Sequence, residues 1–386
     1  MPRAPSVERI HTAVTTVAIA AEATEDRVGL DTAYRLLWLA VVFDILAFGI
    51  GFGWDRNWHA THPFEDFFSP PHLFIYSMHL CATITLAYIA FTPDLRRWFG
   101  DTFALPPLPF AVPGPIALAG GGFVVTGLAG FFDGIWHTAF GLDETLWSFP
   151  HSMLGWGLFV AFLGITSCRL ALAQWKPIGW GSAIVFGFLV FSSSIERIPG
   201  PFMNNISPEI LRFIAAIPVL AAEPAYQHTT RIYLENDITR LSPLFVPLMG
   251  LGAGLAFGLL RRFDPRPLLV LALGALLTRT TDFVPLIVPA LVVALRGTAA
   301  IGWRWWTLTG LCFGVATAII WDRPFSLGGA LVAAPLMAGG AAVAGRIWRV
   351  AERPTRRGVV TLVALAGIAA PAFTGVIDLA LRARTP

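Results

Sequence analysis

Two segments in the first half of the chain place Asp and His residues at a spacing that suits a metal ion. In each, a His follows an Asp by four residues, and a second His closes the segment 13 or 14 residues later. The residues are Asp55, His59 and His72 in the first segment and Asp133, His137 and His151 in the second. Because residues four apart lie on one face of a helix, the carboxylate and the first imidazole can face one ion. The closing His would add a third ligand from the start of the next helix.

Ligands of this kind limit the chemistry that such a site could perform. Two imidazoles and one carboxylate suit copper, iron or zinc, and an open coordination position is typical of a catalytic site. The alternative is that each Asp–His pair only forms a hydrogen bond that holds an interfacial loop. Further matches between the segments favour metal binding: Trp58, Ser69 and Pro71 correspond to Trp136, Ser148 and Pro150.

Transmembrane helices must position these residues. The chain has 386 residues, of which 55% are hydrophobic and only 13% are charged, and its mean hydropathy is +0.67. Soluble domains carry roughly 25% charged residues. The apolar runs therefore predict an all-α, polytopic transmembrane helical bundle of about ten or eleven spans. In its first half the bundle would contain the metal-binding helix–loop–helix hairpin twice.

The apolar runs also divide the chain into regions. The predicted spans lie near residues 34–53, 72–92, 110–132, 151–172, 178–195, 244–260, 267–295, 303–320, 327–345 and 358–380. The stretch 267–295 contains Arg279 and Asp282 and is predicted to enter the membrane and return. The regions are a cytoplasmic segment 1–30, a duplicated metal-binding region 31–175 and an additional transmembrane region 176–386 with an external segment 196–243. Abundant Pro, Gly and Ala in the last third predict close helix packing.

The basic residues predict how the bundle is oriented. Lys and Arg follow the second and fourth spans, the span at 244–260 and the next-to-last span, at positions such as Arg97, Lys176, Arg262 and Arg353. By the positive-inside rule these loops are cytoplasmic, so both Asp–His segments lie on the non-cytoplasmic side. The net charge is only +3, and no basic stripe alternates with exposed aromatics. These features argue against nucleic acid and leave the lipid bilayer as the expected surrounding.

The first segment resembles the copper-ligand stretch of the C subunit of the particulate methane and ammonia monooxygenases, which are copper membrane monooxygenases. The residues that fit this stretch are Asp55, Trp58, His59, Phe68, Pro70 and His72. The second segment resembles the second copper site of the same subunit, in which an Asn stands where this chain has Asp133. The resemblance covers residues 30–175, and residues 176–386 have no counterpart in that shorter subunit.

The resemblance implies a copper-dependent membrane oxidoreductase, or a subunit of one, in a bacterial inner membrane. Each triad would hold one copper ion, and Asp133, His137 and His151 are expected to be catalytic. Dioxygen and a small apolar substrate are the implied reactants, and membrane subunits or further copies of the chain are the implied partners. The alternatives are iron or zinc as the metal, a non-catalytic copper-handling protein, and a structural subunit of a larger complex.

Several other side chains could support such sites. His62 is a candidate fourth ligand, and His79 either donates a hydrogen bond to a ligand or is simply packed. Asp44 lies mid-membrane and could serve a proton path or a helix–helix hydrogen bond. Aromatic residues near the motifs could line an apolar substrate pocket or form an interfacial belt: Trp54, Trp58, Phe67, Phe68, Trp136, Trp147 and Phe149. The cysteines Cys81, Cys168 and Cys312 are expected to be small buried hydrophobic residues.

Overall fold

The computed structural model of the chain describes residues 7–59, 67–140, 148–195, 197–198, 244–263, 286–296, 301–321 and 324–382. Within these ranges the side chains of residues 7–25, of His59, of His137 and of several helix-end residues are not described. Four predicted features lie outside the described residues: His62, Trp147, most of the external segment 196–243, and the charged interruption at Arg279 and Asp282.

The described chain is mostly helical, and six of its helices are long and apolar enough to cross a membrane. They are Asp26–Asp55, Pro70–Phe91, Gly114–Trp136, Phe149–Gln174, Gly328–Glu352 and Arg356–Ile377. Three shorter apolar helices, Trp180–Ser194, Phe245–Leu260 and Ile287–Arg296, accompany them. The prediction of a helical membrane bundle is thereby confirmed in outline.

Two helical hairpins make up the first half of the bundle. The first hairpin consists of α1 (Val7–Ile45), a π-helical stretch (Leu46–Gly51), α2 (Phe52–His59) and α3 (Pro70–Phe91). The second hairpin consists of α5 (Gly114–Phe140) and α6 (Phe149–Ala171). Between them lies the short α4 (Pro93–Arg96). In each hairpin the helix pair packs along its length, so residues at the connecting end come together.

The second half contains the remaining helices. These are α7 (Trp180–Ser194), α8 (Phe245–Leu260), α9 (Ile287–Arg296), α10 (Trp303–Trp321), α11 (Pro324–Glu352), α12 (Arg356–Ala364) and, after a π-helical stretch, α13 (Ala370–Arg382). Small residues allow close helix contact there, as predicted: Gly254 of α8 lies against the backbone of Met337 of α11, and Gly314 of α10 lies against Ala330.

A short β-ribbon departs from the all-α prediction. Strand β1 (Thr102–Ala104) pairs antiparallel with β2 (Ala111–Pro113), with Phe103 opposite Val112. Strands of three residues are too short for an alternating sequence pattern to reveal, which explains why the apolar runs did not indicate them. The ribbon leads the chain into the start of α5.

The basic loops meet at one end of the bundle, which we call the basic end. Ion pairs and a ring contact connect them: Arg97 with Asp26 at 2.5 Å, Lys176 with Asp31 at 2.5 Å, Arg262 with Glu352 at 2.7 Å, and Trp98 with Trp175 at 5.1 Å between ring centroids. Helices α3 and α6 both finish at this end, so their first turns, which carry His72 and His151, lie at the opposite end. We call that end the Asp–His end.

The cysteines agree only partly with expectation. Cys168 is buried, Cys81 is partly buried, and Cys312 is exposed on the surface of the described chain. The expectation of a buried residue is therefore wrong for Cys312. In a membrane bundle an apolar side chain can face lipid at no cost, so hydrophobic character alone does not imply burial in the protein.

Candidate functional site

The first hairpin brings Asp55 and His72 together at the Asp–His end. Asp55 lies on α2, and His72 lies in the first turn of α3. Nε2 of His72 is 3.1 Å from Oδ1 of Asp55, and the two side chains are 18% and 15% exposed. The pair is therefore shielded from most solvent while a small ligand can still reach it.

Local sequence explains why His72 lies at this position. Pro70 and Pro71 occupy the first positions of α3, where the fixed φ of proline favours helix initiation and its missing N–H costs nothing. The ring of Tyr76, one turn later, stacks on that of His72 with centroids 5.8 Å apart and on that of Phe67 at 4.9 Å. These stacked rings limit the rotation of the imidazole.

The second hairpin brings Asp133 and His151 together at the same end. Nδ1 of His151 is 3.6 Å from Oδ1 of Asp133, with side chains 25% and 17% exposed. The hydroxyl oxygen of Ser148 lies 3.2 Å from the same ring nitrogen. The Ser148 side chain also accepts a hydrogen bond from the backbone N–H of His151, so it caps α6. One serine thus fixes both the start of the helix and the imidazole.

The structure places two of the three predicted ligands of each triad side by side. The third members, His59 and His137, lie on the described backbone of α2 and α5, one turn beyond Asp55 and Asp133. Helical periodicity puts each on the same face as its Asp. Their side chains are not described, and the described side chains alone include no group of three His, Cys, Asp or Glu residues that could hold a metal ion.

The described donor atoms, imidazole nitrogen and carboxylate oxygen, are of types that a transition-metal ion accepts. Two ligands that each lie about 2.0–2.2 Å from one ion in tetrahedral geometry are about 3.3–3.6 Å apart. The two Asp–His separations, 3.1 and 3.6 Å, lie close to this range. The shorter one also agrees with a direct hydrogen bond, which spans about 2.7–3.2 Å. The two hairpins use different ring nitrogens, Nε2 in His72 and Nδ1 in His151.

The described aromatic residues near the motifs do not form one enclosed wall. Trp54 and Phe68 are exposed on the protein surface. By contrast, Phe67 stacks on Tyr76, and Phe149 contacts Phe132 with ring centroids 6.4 Å apart. The exposed members fit the interfacial belt rather than a closed substrate pocket. Trp147 lies outside the described residues.

A third Asp–His pair lies deeper in the first hairpin. Nδ1 of His79 on α3 is 3.5 Å from Oδ1 of Asp44 on α1. The sequence singled out both residues but did not join them. The available signal was their offset from the outer pair, since Asp44 precedes Asp55 by eleven residues and His79 follows His72 by seven. In uninterrupted α-helices these intervals are close to three and two turns, which predicts that helices meeting at the outer pair meet again at the inner one. The π-helical stretch Leu46–Gly51 lies within the first interval, so only the structure establishes the inner contact.

No protein-family model, curated protein or solved structure matches this chain. The likeness to the C subunit of copper membrane monooxygenases therefore rests on the two motifs alone.

Proposed function

We propose that this chain is an integral membrane protein that binds copper at two sites near the Asp–His end. The first site consists of Asp55, His59 and His72, and the second of Asp133, His137 and His151. One observation carries the proposal: in both hairpins a carboxylate and an imidazole from successive helices approach within 3.1 and 3.6 Å. Helix packing alone could explain one such Asp–His contact, but it explains less well why both copies of the motif form the same contact.

Copper is the metal that the motif resemblance favours, with iron and zinc as the alternatives. The donor set of imidazole nitrogen and carboxylate oxygen accepts all three ions. Stacked Tyr76 and the capping hydroxyl of Ser148 hold the two closing imidazoles in place. Such support by neighbouring groups is a general feature of metal sites, where it orients the ligand rings.

The activity we propose is oxidation of a small apolar substrate with dioxygen, in which the second triad is catalytic. Bound copper would supply redox chemistry and an open position for dioxygen, and an external reductant would supply the electrons that reduce the second oxygen atom to water. The chain supplies the ligands, keeps them partly shielded from solvent, and offers a lipid-facing apolar surface from which an apolar substrate can approach. Partner membrane subunits or further copies of the chain would complete such an enzyme.

The proposed orientation puts both sites on the non-cytoplasmic side of a bacterial inner membrane. Its support is that the basic loops meet at the opposite end of the bundle. A full bundle of about ten or eleven spans, with the duplicated hairpin in residues 31–175, also belongs to this proposal.

The second candidate is a membrane protein whose outer Asp–His pairs are structural. The 3.1 Å contact between His72 and Asp55 favours it, because that distance suits a hydrogen bond without metal. A non-catalytic copper-handling protein is intermediate between these two candidate functions. It would bind metal at both sites but would not catalyse an oxidation.

Elemental analysis of the full chain in lipid nanodiscs tests the proposal. We expect two copper ions per chain, one after His72→Ala, one after His151→Ala and none in the double variant. Asn57→Ala is the matched control, because Asn57 is an exposed polar residue on α2 between two proposed ligands. Folded protein that binds no metal after copper loading would contradict metal binding and favour the structural pairs. Metal that never reacts with dioxygen would favour the copper-handling protein.

A further inference from the structure

The inner Asp–His pair lies in the most shielded part of the first hairpin. The Asp44 side chain is 0% exposed and that of His79 is 11% exposed. Both residues belong to helices that are long and apolar enough to cross a membrane. The position of the pair, eleven residues from Asp55 along one helix and seven from His72 along the other, is therefore well inside the apolar layer.

Apolar rings surround the pair. Phe48, in the π-helical stretch, lies 5.7 Å from the His79 ring, and Phe123 of α5 lies 4.6 Å from it, both measured between ring centroids. Phe48 also contacts Phe162 of α6 at 5.6 Å. Among the described residues, no third polar group hydrogen-bonds to the carboxylate oxygens of Asp44 or to the ring nitrogens of His79.

Among the described residues, His79 is the ionisable group that lies within ion-pair distance of Asp44. Among the described side chains, the remaining ionisable groups on and against the surrounding helices lie elsewhere: Asp26, Arg27, Asp31, Tyr34, Arg35, Tyr88, Cys168 and Arg169 towards the basic end, Asp55, His72, Tyr76, Asp133, His151 and Arg197 (against Gly155) towards the Asp–His end, and Cys81 two residues beyond His79. Among the described groups, therefore, the two members of the pair themselves set its charge state.

Burial without further partners determines how many protons such a pair holds. An isolated charge in an apolar layer is strongly disfavoured. With one proton the pair is neutral as a whole, either as carboxylic acid with imidazole or as carboxylate with imidazolium. With no proton it has a net negative charge, and with two it has a net positive charge. The state with one shared proton is thus favoured.

We propose that Asp44 and His79 form a proton-exchange site within the membrane, which holds one proton and exchanges it with solvent at the Asp–His end. Tyr76 marks the route, since it follows His72 by four residues and precedes His79 by three on the same face of α3. A π-helical stretch separates Asp44 from Asp55 on the other helix. Such stretches often occur at functional sites. The inference goes beyond the proposed copper sites and does not depend on bound metal.

Infrared difference spectroscopy of the full chain in nanodiscs, transferred from H₂O to D₂O, tests this site. We expect an exchange-sensitive carboxyl or carboxylate band that is lost in Asp44→Asn and retained in the control Asp101→Asn, whose side chain is exposed in a loop. In His79→Gln the band should move to the position of a lone carboxylic acid. That second variant decides the question if Asp44→Asn does not fold. A band that ignores D₂O, or that responds to sodium instead, would overturn the proposal.

The direction of the route has its own test. Tyr76→Phe removes a hydroxyl on the side of the Asp–His end, while Thr83→Val removes one on the side of the basic end. We expect exchange to slow by about tenfold in Tyr76→Phe, which corresponds to about 1.4 kcal/mol of barrier, and to stay unchanged in Thr83→Val. Slower exchange in Thr83→Val than in Tyr76→Phe would mean that the proton exchanges with solvent at the basic end, which would contradict the inference. Measurement before and after copper removal separates this result from any failure of the metal proposal.

Discussion

The first hairpin has polar residues at two inner positions where the second hairpin has apolar ones. Eleven residues before the outer Asp stand Asp44 in the first and Gly122 in the second, and seven residues after the outer His stand His79 and Leu158. Gly122 lies directly against the backbone of α6 at Ala161. The two outer Asp–His pairs therefore have the same spacing, but the helices below them meet through a polar pair in the first hairpin and through close backbone contact in the second.

The two hairpins therefore hold their helices together in different ways. Close contact between α5 and α6 leaves no room for a side chain at Gly122. The helices that carry Asp133 and His151 are therefore held rigidly together. In the first hairpin the buried Asp44 and His79 connect α1 and α3 through a polar contact, at which we propose proton exchange. The two hairpins thus share the spacing of their outer Asp and His residues and differ in the residues of their interiors.

The largest expected effect concerns the close contact. Gly122→Ala should destabilise the protein by about 3 kcal/mol, because the added methyl overlaps backbone atoms that cannot move independently. Gly127→Ala is the control, since open space surrounds a side chain there. Thermal unfolding in detergent measures both variants. Equal melting temperatures would mean that α5 and α6 are not in close contact.

The second prediction concerns the inner polar pair. His79→Leu should cost about 1–3 kcal/mol, because it leaves the buried carboxyl group of Asp44 without its partner. The double variant Asp44→Ala with His79→Leu, which makes the interior resemble that of the second hairpin, should be more stable than the sum of the single changes implies. A double-mutant cycle from unfolding measurements gives the coupling. Strict additivity would show that the two side chains do not interact.

The third prediction compares the two outer carboxylates and depends on the proposed copper sites. Asp55 faces Nε2 of His72, whereas Asp133 faces Nδ1 of His151, which Ser148 also contacts. Loss of a group that only supports a ligand weakens metal binding by about 10- to 100-fold. We therefore expect Asp55→Asn, which changes a ligand itself, to weaken copper binding by at least that much, and Asp133→Asn to weaken it less, because Ser148 also holds His151. Competition with a chelator measures each affinity. Equal losses would show that the two carboxylates have equivalent roles.

The smallest expected effect concerns the helix starts. Ser148 caps α6 through its side chain, whereas Ser69, at the matching position before α3, forms no such hydrogen bond. Ser148→Ala should cost about 1 kcal/mol, the usual value of an N-cap, and Ser69→Ala should cost less. Unfolding measurements on both variants test this ranking. A larger loss in Ser69→Ala would mean that the two helix starts are not distinguished by their caps.

Much of the fold followed from local sequence. The apolar runs located the helices that begin near residues 70, 149, 180, 245 and 303, because length and hydropathy are local properties of a membrane span. The runs placed the start of the third span near residue 110, whereas α5 begins at Gly114, after a ribbon too short to leave a periodic signal. The exposed position of Cys312 was also missed, because apolar residues can face lipid as readily as protein.

The sequence by itself determined which residues of each outer pair could meet, since four-residue spacing and proline-marked helix starts are local features. Only the tertiary structure decided that Asp44 faces His79, that His72 presents Nε2 while His151 presents Nδ1, and that Gly122 lies on α6. These results depend on how two helices rotate and cross, and that geometry is set by side-chain packing across the whole interface. The spacing of residues along a single helix does not determine how that helix is rotated against its neighbour.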